Sequence, residues 1–191
     1  MPKIYQSDAA SIFIYGQMFS INNLMVIASK CEMLYLQRVV IMNNDVIVPE
    51  TEEDQFYFET AVSLETLFKA LPSVTDFKYY LPFNSVNIIT SKTADELLKI
   101  PHFLSLDKFE ISQIPEIFDI QSFYGHIKKN KKTKIELHFS DQISDEYKTR
   151  LQTIVDEILE AENRDYKVPW ISFFGDTRFS REKMISLYYQ T

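Results

Sequence analysis

A chain of 191 residues, 46% hydrophobic and 25% charged, is long enough to bury a large core unaided and too apolar to stay disordered. Its formal net charge of −7 argues against a nucleic-acid partner, because phosphate binding depends on Lys and Arg displacing counterions. A single cysteine excludes an intrachain disulfide and a thiolate metal cluster, and Gly16, Gly125 and Gly175, the three glycines, are too dispersed to build a phosphate-cradling loop of the Rossmann or P-loop kind.

In chain order, one apolar pattern recurs. Ala9-x-x-Ile12-x-Ile14 reads as a short strand, and a helix over Ile21–Lys30 follows, with Ile21, Leu24, Met25 and Ala28 on one face. The pattern returns as Cys31-x-x-Leu34-x-Leu36. An acidic stretch over 43–59 then interrupts it and reads as a surface loop. Leu64, Leu67, Phe68 and Leu71 predict a second helix, and Val74-x-x-Phe77-x-Tyr79 the next strand. Thr93, followed three residues later by Glu96, suggests a capping box opening a helix over Thr93–Ile100. Leu106-x-x-Phe109-x-Ile111 repeats the strand, and Ile120–Lys129 repeats the helix. The basic run Lys128–Lys134 reads as a solvated turn, with a small anionic docking patch as the sharper alternative.

Ile135-x-Leu137-x-Phe139 is a looser copy of the strand. Ser144 caps the longest predicted helix, Tyr147–Ala161, and Val168–Phe174 is the least regular strand. The tail 176–191 reads as a short capping helix or a frayed end. Repeat starts fall roughly 20 to 45 residues apart, the spacing of stacked repeats. Strand–helix alternation implies a parallel sheet. In a doubly wound sheet, with both faces covered, the strands would be near-continuous apolar runs. Here they alternate, as in Phe109-Glu110-Ile111-Ser112. The expected fold is therefore α/β: one domain over 1–191, a leucine-rich-repeat-like solenoid with a parallel sheet of five or six strands and helices on the convex side.

That register puts Phe13, Tyr15, Tyr35, Gln37, Lys78, Tyr80, Lys108, Glu110, Glu136 and His138 on one open sheet face. Tyrosines interspersed with charges suit protein recognition, because aromatic anchors carry interface energy and charges set orientation. Catalysis finds little support. His102, His126 and His138 fall in different units without metal-ligand spacing, and Cys31 holds a core position of the repeat. Asp145/Glu146 and Asp156/Glu157 are helical neighbours that diverge by about 100°. No catalytic residue, cofactor or metal ligand is expected. A small α/β enzyme with an unfamiliar site, and a degenerate paralogue without activity, stay open as alternatives.

Four segments carry a family resemblance: Leu64-Glu-Thr-Leu-Phe-Lys-Ala-Leu-Pro-Ser-Val74, Leu81 to Ala94, Leu97 to Leu106 and Asp141 to Lys148. They resemble the C-terminal region of nematode-expanded F-box-type proteins, over about Ile12 to Phe174. The resemblance implies a leucine-rich-like domain that selects substrates for a Skp1–cullin ubiquitin ligase. Met1–Lys30 reads as a strand and one helix and not as an F-box, so a Skp1-type adaptor is expected only where an F-box lies upstream. The expected partner is another protein, with no nucleic acid and no membrane. No signal-peptide pattern opens the chain and no apolar run approaches the roughly 20 residues of a membrane helix, so the expected location is cytoplasmic or nuclear.

Overall fold

A computed structural model describes residues 8–43, 60–83, 85 and 87–190. The acidic stretch over 43–59 lies outside the described residues except for Asn43. Six strands form one sheet: β1 (Ser11–Tyr15), β3 (Met33–Gln37), β5 (Asp76–Tyr80), β6 (Lys108–Ile114), β7 (Lys134–Phe139) and β8 (Trp170–Ser172). They lie side by side in chain order, and every pair is parallel. Parallel neighbours need a crossover between them, and here α1 (Ile21–Ala28), α2 (Leu64–Ala70), α3 (Thr93–Leu97), α4 (Ile120–Ile127) and α5 (Asp145–Glu160) provide it. A last helix, α6 (Arg178–Gln190), follows β8.

Crossovers between parallel strands are nearly always right-handed. When each step also moves to the next position in the same direction, successive helices arrive on the same side. The contacts agree, since α1 touches α2, α2 touches α3 and α3 touches α4. Their apolar stripes meet one face of the sheet. Leu34, Leu36, Phe77, Tyr79, Phe109, Ile111, Ile135, Leu137 and Ile171 are all buried there, in one cluster with Leu24, Leu67, Phe68, Leu97, Phe123 and Leu151 from the helices. Aromatic rings form the seam: Phe68 lies 4.6 Å from Phe77, and Phe109 lies 6.2 Å from Phe123.

The helix starts show how local chemistry sets boundaries. Ser144 caps α5, its hydroxyl accepting from the Tyr147 N–H at 3.3 Å, and Ser20 caps α1 by the same bond to Asn23. Thr93 departs from expectation. It is fully buried inside α3, with Lys92 at the cap position. Its hydroxyl accepts from the Thr90 N–H at 2.9 Å and donates to Glu65 at 3.2 Å, so a contact with α2 uses the group that a capping box would have used. The tail folds as α6, which touches α5 and β8.

A second sheet was not foreseen. β2 (Met18–Ser20) and β4 (Val40–Met42) pair in parallel just beyond β1 and β3. The chain breaks between the strands of each unit at a left-handed residue, Gly16 (φ 58°) after β1 and Arg38 (φ 53°) after β3. Glycine accepts that conformation without a Cβ clash, whereas arginine does not.

Candidate functional site

The side of the sheet away from the helices carries three rows of residues in register. The middle row runs Phe13, Tyr35, Lys78, Glu110, Glu136, Trp170. The next runs Tyr15, Gln37, Tyr80, Ser112, His138, Ser172, and on the other flank Met33, Asp76, Lys108 and Lys134 align. All ten residues expected on this face lie in these rows. Sequence reasoning missed Met33, Asp76, Ser112, Lys134, Trp170 and Ser172. Met33, Asp76, Ser112 and Lys134 share the parity of the outward set and were legible. Trp170 and Ser172 sit on the irregular last strand, where no apolar pair fixed the register.

The middle row is a chain of contacts. Phe13 and Tyr35 stack edge to face at 4.5 Å, and the Lys78 ammonium lies 5.0 Å from the Tyr35 ring centroid. Lys78 pairs with Glu110. Lys108 sits 3.1 Å from the second Glu110 oxygen and 2.8 Å from Glu136. Tyr188 of α6 donates to Glu136 at 2.8 Å. Beyond it, His138 lies 5.0 Å from Trp170 and 2.7 Å from the Ser172 hydroxyl.

Glu110 and Glu136 correct the sequence reading. Expected to be accessible on an open face, each is only 6% exposed. Lysine stems and Tyr188 cover them, so they act as the inner half of an ion-pair network. Burial alone would raise the Glu136 carboxyl. Its contacts with His138, Lys108 and Tyr188 outweigh that and hold it down at about 2. Lys108 shows the matching balance, with burial lowering its pKa and the two carboxylates raising it further.

Accessible apolar surface is concentrated at the other end. Phe13 is 58% exposed, Tyr15 54% and Met33 51%. A groove of about 380 Å³ opens there, lined by Ser11, Phe13, Met33, Tyr35, Asp76, Lys78 and Lys108 among others.

The charged end holds two arrangements that resemble reactive sites. Glu110, Glu136 and His138 bring ligand atoms within 4.8 Å of one another, close enough to share a metal ion. The Lys108 ammonium already stands between the two carboxylates, in the position a cation would take. Ser172, His138 and Glu136 also line up in the order of a nucleophile, base and orienting acid. However, Glu136 is 3.6 Å from the histidine, beyond a hydrogen bond, and is engaged by Lys108 and Tyr188. Ser172 is the last residue of β8, and its hydroxyl faces the His138 ring at 2.7 Å.

Of the remaining candidates, Cys31 and most of the basic run have partners, whereas His102 Nε2 is buried without a hydrogen bond. Cys31 is buried and its thiol donates to the Met33 carbonyl at 2.9 Å; burial pushes its pKa up. Burial likewise lowers the pKa of His102 and His126. In the basic run, Lys128, Lys131 and Lys132 pair with Glu157, Asp165 and Asp107 at 3.2, 2.6 and 3.0 Å, which leaves little of a patch for an anionic partner. No helix among the described residues is long and apolar enough to cross a membrane. Compared with protein-family models, curated proteins and solved structures, the chain matches none.

Proposed function

We propose that the chain is a non-catalytic protein-interaction module, a leucine-rich-like solenoid whose open sheet face binds a partner through its β1–β5 half. Sequential parallel strands with stacked helices behind them support the solenoid reading. The observation that carries the function is the exposure of Phe13 and Met33, which line the groove together with Lys78 and Lys108, and of Tyr15 in the adjoining row. Clustered exposed apolar side chains rimmed by charge are the surface a partner desolvates, and aromatic anchors in a groove supply most interface energy. The resemblance to F-box-type C-terminal regions points to substrate recognition as the biological use. A Skp1-type adaptor would then associate through an F-box and not through this face.

Photo-crosslinking tests the assignment. A photoreactive residue at Tyr15 is expected to capture a discrete partner that one at Thr153, exposed on α5, does not capture. Phe13→Ala with Tyr35→Ala should abolish that product. Capture from Thr153 alone would move the interface to the helices and remove this reading.

A further inference from the structure

Three non-glycine residues with left-handed backbone, Arg38 (φ 53°), Asn87 (φ 71°) and Gln113 (φ 66°), line adjoining cavities that share Phe83. Such conformations are costly for Arg and Gln, though asparagine adopts them readily. They persist where the surroundings enforce them, often at binding sites. Arg38 makes the point most clearly, because Gly16 occupies the same position one unit earlier. Gly16 donates its N–H to the Gln37 carbonyl at 2.9 Å, and Arg38 donates its own to the Tyr80 carbonyl at 2.9 Å. The fold alone would be served by glycine at both places.

Arg38, Tyr80, Leu81, Pro82, Phe83 and Gln113 enclose about 360 Å³ at the C-terminal ends of β3, β5 and β6. The Arg38 guanidinium lies 5.9 Å from the Tyr80 ring centroid and takes part in none of the ion pairs among the described residues. Phe83 is 86% exposed, more than any other large apolar side chain described. Gln113 adds a side-chain amide. Glu116, beside the neighbouring cavity, is turned to the Ser144 N–H at 2.7 Å.

We propose that this rim cavity binds an acidic segment of a partner protein. Arg38 and Gln113 take a carboxylate, while an apolar neighbour in the segment packs on Tyr80, Pro82 and Phe83. A guanidinium outside every ion pair of the described residues, with its planar, forked set of donors, calls for a carboxylate. The exposed ring and prolyl surface call for an apolar group attached to it. The site is separate from the Phe13–Tyr35 groove and does not depend on it.

The test is an amide-shift NMR titration of the whole chain with three probes: a short peptide containing Glu-Phe, the same peptide with Gln-Phe, and free 3-phenylpropionate. The Glu-Phe peptide should shift Arg38, Leu81, Phe83 and Gln113, and bind about tenfold more tightly than either other probe. Arg38→Gly should raise the thermal midpoint by about 3 °C by relieving the backbone, yet weaken the peptide about tenfold. Arg38→Gln, which keeps the strained backbone and loses the charge, should weaken it equally. Equal affinity for the Gln-Phe peptide, unchanged binding by Arg38→Gly, or no shifts at millimolar peptide would each overturn the proposal. Shifts confined to Phe13 and Tyr35 would overturn it while leaving the open-face groove in use. Equally tight 3-phenylpropionate would also overturn it, by making the ligand a small aromatic acid.

Discussion

Removing the Tyr188 hydroxyl breaks one tie between the last helix and the sheet without opening a cavity. Tyr188→Phe deletes one hydrogen bond, 2.8 Å long, to a buried carboxylate. Bonds to charged groups contribute about 1.5–3 kcal/mol, so a loss of about 2 kcal/mol is expected, or about 4–8 °C in Tm for a chain of this size. Glu136→Gln removes more. A carboxyl that ordinarily titrates at 4.5 and is held at about 2 contributes about 3 kcal/mol at neutral pH, and at 8% side-chain exposure solvent screens little of it. Because the folded chain binds that proton less readily than the unfolded one, the contribution is complete above pH 4.5. It disappears as pH falls toward 2. Urea melts of both single variants and the double variant should give a coupling energy of about 2 kcal/mol at pH 7. Between pH 4.5 and pH 2, Glu136→Gln should lose stability less steeply than the native chain. Parallel acid profiles for the two, or a coupling energy below about 0.5 kcal/mol, would refute the assignment of Glu136 as an ionised, clamped group.

Other consequences can be read by ordinary assays. Lys108→Ala leaves two buried carboxylates facing each other with fewer cations. Loss of one partner of a buried pair costs about 3–5 kcal/mol; the 38% exposure of Lys108 and the remaining Lys78 contact reduce this to about 2, measurable by urea denaturation. Phe13→Ala should lower stability by under about 1 kcal/mol, since it loses one edge-to-face contact, and Tyr35→Ala by about 1–2 kcal/mol, since it also loses the Lys78 contact and the bond to Gln37, yet each should weaken the captured partner by about 2 kcal/mol in Kd measurements. Asn130→Ala should destabilise by about 2 kcal/mol, because its buried side chain donates to the Thr133 carbonyl at 2.6 Å and accepts from the Thr133 N–H at 3.0 Å. The Cys31 thiol should react with a disulfide reagent at the rate of unfolding; rapid labelling of the native chain would show that β3 opens locally.

The positions of the strands were legible because each unit sends the same parity of side chains into the core. Leu34 and Leu36, Phe77 and Tyr79, and Phe109 and Ile111 pair directly across the sheet. A slip of one residue would expose that whole set, so burial locks the register. The ten open-face residues follow from it. Failures arose where a polar group had a choice of partner. Thr93 matches a capping pattern, yet its hydroxyl meets Glu65, which lies 28 residues earlier in the chain.

By itself, the amino-acid sequence determined alternation, parity and the one-sided polarity of the strands, because these depend on neighbours a few residues apart. Tertiary structure decided which part of the polar face stays open. Glu136 is closed over by Tyr188, 52 residues away, while Phe13 and Met33 at the opposite edge keep about half their surface in water. It also decided that Arg38 is held left-handed at the end of β3, where its N–H must reach the Tyr80 carbonyl. Local pattern carries no information about such meetings, because their energy depends on distances set only when the strands pair and the helices pack.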